Sequence, residues 1–526
     1  MASEGRDPNL GGAPAEAPCG SPGRLARVVT GVLFAAVVPV YLVAVTRHAD
    51  RHNSDQKAIS AIDGRAVPMV FHHDQHVYLN NGRMLRRSGY TYVVPRHRTP
   101  GYPALLSLFY GEKDAYPVTE GDPRRVSDAY FERAKVFNRW LAVACILALF
   151  LFTRRALSPW SALMFAWAVG WFVYYPLAAY VQPEVLFMTL SFVAFVLLAR
   201  QTIAPTWARG LFLGVLLGAT YLVKAAILPM VPLFCFCFAL KYLAQAWRDW
   251  RGGRFDWRPW LMAVGRGVVV PAVFFALLSP YFYRTWRMHG SPVWSVHSAH
   301  FMWMEDREDK RRWRHLLSLL EDGGEAPADA PSRERYFRHH TWRDFIVRSL
   351  DGTEISLRMI DRENRAGYRF VERRLGRTSA FVLVLCALAA LAPALRRRGI
   401  VVEGGGERLP LADLRRHWYL VPYLALYLAG YSLLYGAYAT FGAGTRLFLS
   451  MAPCVIYGLW LILERYPPDL AFPPGGGRKI PGRVLFRIVM ALCLIGSLAV
   501  LAKNPPTGAA GDASEERDEA GGGTEK

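Results

Sequence analysis

The sequence predicts an all-α polytopic membrane protein, with about eleven transmembrane helices and two large mixed extracytoplasmic loops. Three observations carry this. Hydrophobic residues make up 52% of the 526, and they fall in separate runs of about 20 residues, the length that crosses the hydrocarbon core. The runs are separated by Arg-rich and Pro/Gly-rich stretches, and two of the intervening segments are long.

The spans read as 28–46, 136–153, 159–179, 182–199, 210–223, 226–243, 260–280, 379–395, 418–437, 447–464 and 484–502. The first follows Arg24 and Arg27, is too long for a signal-peptide core and has no small-residue cleavage pattern after it, so it reads as a retained helix. With the N-terminus in the cytoplasm, alternate connections carry Arg154-Arg155, Arg200 with Arg209, the cluster Arg248, Arg251, Arg254 and Arg258, Arg396-Arg397-Arg398 with Arg415-Arg416, and Arg478-Lys479 with Arg483. All are short and basic, as the positive-inside rule requires. Residues 1–27 and 504–526, poor in apolar side chains, are expected to be disordered tails around one membrane domain at 28–503.

This sidedness puts 47–135 and 281–378 outside. Both loops are rich in Trp, Tyr and His and carry charges of both signs; loops this long usually hold function. The stretch from Phe131 to Phe137 is amphipathic and is expected along the membrane interface. The formal charge of +21 argues for anionic headgroups rather than nucleic acid, because Lys and Arg collect beside helix ends. Of the seven cysteines, Cys145, Cys235, Cys237, Cys386, Cys454 and Cys493 lie in apolar runs and Cys19 in the N-terminal tail. The outer loops therefore have no disulfide framework.

Ionisable residues recur at the outer ends of the spans. Asp74 lies in His72-His73-Asp74-Gln75-His76, Arg98 and Tyr102 in the turn Arg98-Thr99-Pro100-Gly101-Tyr102-Pro103, and Glu184 after Pro183 between the third and fourth spans. Lys224 separates 210–223 from 226–243, Arg284 follows Ser279-Pro280-Tyr281, and Arg446 opens the tenth span. Charges near membrane depth are costly unless they meet a cavity or a partner, so their recurrence at one level points to a shared cavity. Four of them have a plainer reading, Arg284, Arg446 and Lys224 as snorkelling cations and Glu184 as a helix cap, whereas Asp74, in an aromatic and His-rich loop beside the Pro-Gly-Tyr-Pro turn, is harder to explain that way. The cluster of His72, His73, Asp74 and His76 leaves a divalent metal as an open alternative, although its spacing matches no closed-site pattern. No other cofactor is indicated.

In order, these features are an Asp in the first outer loop, the Arg-x-Pro-Gly-Tyr-Pro turn, Pro183-Glu184, a Gly-x-x-x-Gly helix ending at Lys224, the Pro280-aromatic step before Arg284, and Arg446-Leu-Phe-Leu-Ser-Met-Ala-Pro453. The series resembles the GT-C superfamily of membrane glycosyltransferases, especially the protein O-mannosyltransferase and aminoarabinose transferase group (family 39-like), over nearly all of 28–465. The resemblance implies a GT-C-like fold in the cell membrane and a sugar donor on polyprenyl phosphate or diphosphate. The sugar would pass to a glycan, lipid or protein hydroxyl on the extracytoplasmic side. It implies Asp74 as general base or acceptor-orienting residue, Glu184 as a residue orienting the sugar or pairing with a cation, and Arg98, Lys224, Arg284 and Arg446 as holders of the lipid phosphate. Many members have Asp-Glu in the first loop; here Gln75 follows Asp74, which leaves Asp74 as the sole acid. The rival functions are a lipid-linked sugar transporter or flippase, which predicts inverted repeats that the sequence lacks, and a polysaccharide polymerase.

Overall fold

The computed structural model describes residues 24–53, 58–59, 66–67, 74–92, 98–114, 128–305, 308–309, 312, 316, 326–368, 418–439, 448–465, 470–471 and 479–480. The helices are α1 Arg24–Asn53, α2 Gln75–Arg87, α3 Gly101–Ser107, α4 Asp128–Thr153, α5 Pro159–Val169, α6 Tyr175–Ala178, α7 Glu184–Ile203, α8 Trp207–Val223, α9 Met230–Arg251, α10 Trp257–His289, α11 Val296–Ala299, α12 Arg333–His339, α13 Trp342–Tyr368, α14 Leu420–Ala439 and α15 Ala452–Arg465. Among the described residues, strand is confined to two antiparallel pairs of two residues each.

Seven helices among the described residues are long and apolar enough to cross a membrane: Val28–Asp50, Ala129–Thr153, Pro159–Ala178, Glu184–Ile203, Ala225–Arg251, Trp257–His289 and Leu420–Tyr438. Two shorter apolar helices, Trp207–Val223 and Leu449–Leu461, coincide with the expected spans 210–223 and 447–464. The expected spans 379–395 and 484–502 lie outside the described residues, as do the C-terminal tail and most of the N-terminal one. The chain is thus a polytopic helical membrane protein.

Two helices differ from the sequence expectation at their ends. α1 begins at Arg24, inside the segment read as tail. The amphipathic stretch 131–137 does not form a separate interfacial helix; it is the first part of α4 and runs unbroken into the span. Phe131, Ala134 and Asn138 share one face of α4 at helical spacing, and all three are buried. Phe131 and Ala134 pack with Tyr78, Leu79 and Tyr102 of the first loop, so the apolar face that looks suited to lipid is covered by protein. A π-turn, Gly170–Tyr174, joins α5 to α6 just before Pro176, where the missing proline N–H cannot continue the regular ladder.

Aromatic residues fill the bundle centre. Phe34 and Tyr41 of α1 meet Trp167 and Trp171 with ring centroids 5.2–5.7 Å apart. From Tyr419, just before α14, Tyr423, Tyr427, Tyr431 and Tyr435 follow every four residues along the helix, and all five are buried. Their hydroxyls find partners across helices: Tyr423 donates to the Phe195 carbonyl at 3.1 Å and Tyr431 to the Ala226 carbonyl at 3.0 Å. A phenol in apolar surroundings needs such an acceptor.

Small residues set two helix pairs close together. Gly210, Gly214 and Gly218 of α8 face Val269, Val273 and Leu277 of α10; a Cβ on Gly214 would stand 2.5 Å from the Val273 Cβ and 2.9 Å from the Val270 carbonyl oxygen. Gly214→Ala is therefore expected to destabilise the protein by about 1–3 kcal/mol, as overpacking does, measured as a lowered thermal unfolding midpoint in nanodiscs. A midpoint equal to wild type would show that the two helices are not packed this closely. Similarly, Gly352 of α13 lies against Gly436 of α14, and Thr353 Oγ1 donates to the Ser432 carbonyl at 2.9 Å.

α13 starts with a reciprocal cap. Asp344 accepts from the Thr341 backbone N–H at 2.7 Å and its hydroxyl at 2.8 Å, while the Asp344 N–H donates to Thr341 Oγ1. These bonds hold the Asp344 carboxyl below the usual carboxylate range. A lowered folded value means that the contribution of the cap is present above the ordinary carboxylate range and is lost as pH falls through the lowered value. Asp344→Asn is expected to remove that part of the acid sensitivity of unfolding, read from melting curves across the acid range.

Candidate functional site

The helix ends fall into two sets. One set holds Asp74, Arg98, Asn138, the 179–183 turn, Glu184 and Lys224. The other holds the ends of α4 and α7, where Arg200 covers the Phe152 ring and Lys241, midway along α9, donates to the Thr202 and Ile203 carbonyls at 2.7 and 2.8 Å. α7 runs from Glu184 in one set to Ile203 in the other and, with 20 residues, is about 30 Å long. The expected candidates that are described, Arg284 aside, converge at the first end.

Asp74 precedes α2 with φ +65°, a left-handed conformation that few residues other than glycine adopt, Asp and Asn among them. Its side chain does not cap the helix. Instead Oδ2 meets Arg98 Nη2 at 2.6 Å. Arg98 also lies 5.5 Å from the centre of the Tyr78 ring, and its Nη1 is 3.4 Å from His297 Nε2 in the second loop. A guanidinium only donates, so His297 accepts at Nε2 and carries its proton on Nδ1 in this arrangement. The two long loops therefore meet at Arg98.

Glu184 occupies the first turn of α7, where the helix dipole favours a carboxylate. Its side chain is only 3% exposed and reaches Lys224 Nζ at 3.1 Å. Lys224 sits in extended backbone between α8 and the 3-10 turn Ala225–Ile227, and its ammonium lies 5.4 Å from the Phe187 ring centre.

The turn from Arg98 to Pro103 ties the two ion pairs together. Thr99 Oγ1 donates to the Val223 carbonyl at 2.8 Å, next to Lys224. Gly101 lies so close to α8 that a Cβ there would be 2.7 Å from the carbonyl carbon and oxygen of Leu222. Tyr102, fully buried, donates to Asn138 Oδ1 at 3.1 Å, and Asn138 donates to the Tyr180 carbonyl at 2.6 Å. Burial first, then the nearby Glu184 carboxylate, push the Tyr102 phenol above its ordinary value. Gly101→Ala is expected to move the turn off α8 and lower the unfolding midpoint by the equivalent of about 1–3 kcal/mol; an unchanged midpoint would rule out the close approach.

Gln75 has a structural task of its own. It is fully buried, and its Oε1 accepts the Val181 N–H at 2.8 Å, joining the first loop to the turn before Glu184. Arg284 is not part of this cluster: it is exposed on the last third of α10, where a cation suits the membrane interface. Arg446, His72 and His73 lie outside the described residues, among which no three His, Cys, Asp or Glu side chains gather as a metal site.

Sequence reasoning missed Thr99, Asn138, His297 and Tyr431. Only Tyr431 had a signal, the four-residue period of tyrosines from Tyr419 to Tyr435. No family model matches the sequence, and no curated protein is similar to it.

Proposed function

We propose that the protein is a glycosyltransferase of GT-C type. It would move a sugar from a polyprenyl-phosphate or polyprenyl-diphosphate donor to an acceptor hydroxyl on the extracytoplasmic face of the cell membrane. One observation carries the reading: two carboxylate–cation pairs, Asp74–Arg98 and Glu184–Lys224, stand at one end of the bundle, joined by a single turn. The chemistry needs both signs of charge. A base near the acceptor raises the nucleophilicity of its hydroxyl, and cations near the leaving phosphate stabilise the charge that grows as the glycosidic bond breaks.

In this reading Asp74 takes the proton of the attacking hydroxyl. The new bond forms at the anomeric carbon, and the phosphate leaves with the bonding pair. Arg98 and Lys224 hold its oxygens, the guanidinium by a fork and the ammonium as a point charge. Arg446 and Arg284 are proposed as further contacts along the lipid phosphate; the exposed position of Arg284 suits the outer part of that path. Glu184 orients Lys224. The acceptor is a glycan, lipid or protein hydroxyl. The basic far end of the bundle, with Arg154, Arg155, Arg200, Arg209, Arg251 and Arg254, is assigned to the cytoplasm by the positive-inside rule.

The test in cells is mass analysis of envelope glycans and glycolipids after deletion of this chain. The expected result is loss of one sugar from one acceptor with the lipid-linked donor accumulating; an unchanged profile would contradict the proposal.

A further inference from the structure

The far end of the bundle carries a second concentration of chemistry, unrelated to the ion pairs. α9 and α10 are joined by a tight hairpin, and the fourteen residues from Trp247 to Trp260 include Trp247, Trp250, Phe255, Trp257, Trp260, Arg248, Arg251, Arg254 and Arg258. We propose that this hairpin is a binding site for anionic phospholipid headgroups on the membrane face opposite the ion pairs.

The turn is built, not loose. Arg254 N donates to the Asp249 carbonyl at 2.9 Å, Gly253 takes φ +65°, and Asp256 Oδ1 accepts the Arg258 N–H at 2.9 Å to start α10. Trp247, Trp250, Phe255 and Trp257 are 53%, 63%, 42% and 57% exposed, and all four arginines are exposed. Neither bulk phase suits that combination. Water would face four exposed aromatic rings, and the hydrocarbon core would face four guanidinium charges. The headgroup layer accepts both, since indoles settle there and cations there meet lipid phosphates.

The aromatic rings also prepare the cations. Arg251 lies 4.6 Å from the Trp247 ring centre and Arg258 5.5 Å from that of Trp257, while Trp247 and Trp250 pack at 5.4 Å. A guanidinium stacked on a ring keeps its N–H edge directed outward, the geometry that grips two phosphate oxygens. Of the two acids in the segment, Asp256 is spent on the helix cap, so the hairpin presents net positive charge.

The test uses the full chain reconstituted in equimolar phosphatidylglycerol and phosphatidylcholine, with the lipids retained after brief detergent extraction measured by mass spectrometry. Wild type is expected to retain phosphatidylglycerol selectively, and the selectivity should fall as salt is raised. The R251Q/R254Q/R258Q variant should lose about tenfold of that selectivity, while R154Q/R155Q, at the same end of the bundle, should keep it. Equal retention of the two lipids by wild type would overturn the proposal. So would full selectivity in a triple variant that melts like wild type in pure phosphatidylcholine, or equal loss in R154Q/R155Q. A photoreactive phosphatidylglycerol needs no variant: adducts mapped to 247–260 support the site, and adducts only elsewhere overturn it.

Discussion

Asp74→Asn is expected to reduce sugar transfer by about a hundredfold to ten-thousandfold, the range for loss of a general base, while the protein stays folded. Asn adopts the left-handed conformation at φ +65° as readily as Asp, so the start of α2 keeps its shape and only the charge is lost. The same change removes the anion 2.6 Å from Arg98. Arg98 retains Tyr78 and His297, and a donor phosphate no longer competes with a carboxylate for its fork. Donor binding is therefore expected to hold or tighten as turnover collapses. The measurement is release of polyprenyl phosphate by purified variant, beside binding of the labelled donor. Full turnover in the Asn variant would remove Asp74 from the chemistry, and parallel loss of binding and turnover would make it a structural residue.

The second large effect lies in the Glu184–Lys224 pair. Lys224→Met takes the ammonium away from a carboxylate that is 3% exposed, and breaking a buried pair from one side costs about 3 kcal/mol or more. Glu184→Gln leaves Lys224, which is 20% exposed, and should cost less because water reaches the ammonium. The double variant E184Q/K224M is expected to recover much of the stability lost by Lys224→Met, since no buried charge is then stranded. Transfer should stay low in both variants that lack Lys224, whatever their stability. Unfolding midpoints of all three variants in nanodiscs check this. Strictly additive effects would show that the two side chains act independently.

Hydropathy made the spans legible because the bilayer fixes both their length and their character. The partnerships were harder to read, since tertiary contact makes them. Asp74 and Arg98 stand 24 positions apart and His297 a further 199, and no local period links them. Phe131 to Phe137 was misread because an apolar face looks the same whether lipid or protein covers it; here Tyr78, Leu79 and Tyr102 do. Gln75 stood out as a missing acid, but its role as acceptor for the Val181 N–H depends on a turn more than a hundred residues away. Arg284 could be picked out as a cation at a span end, but which face of α10 it occupies could not.

The central claim is that the two ion pairs serve sugar transfer from a lipid phosphate. Its most direct test is purified protein in nanodiscs given polyprenyl-phosphate sugars and acceptor glycans, lipids and peptides, with release of polyprenyl phosphate followed over time. The account predicts release coupled one-to-one to a glycosylated acceptor and reduced by about a hundredfold or more in Asp74→Asn. Movement of intact lipid-linked sugar across liposomes, with its glycosidic bond unbroken and no acceptor needed, would contradict it.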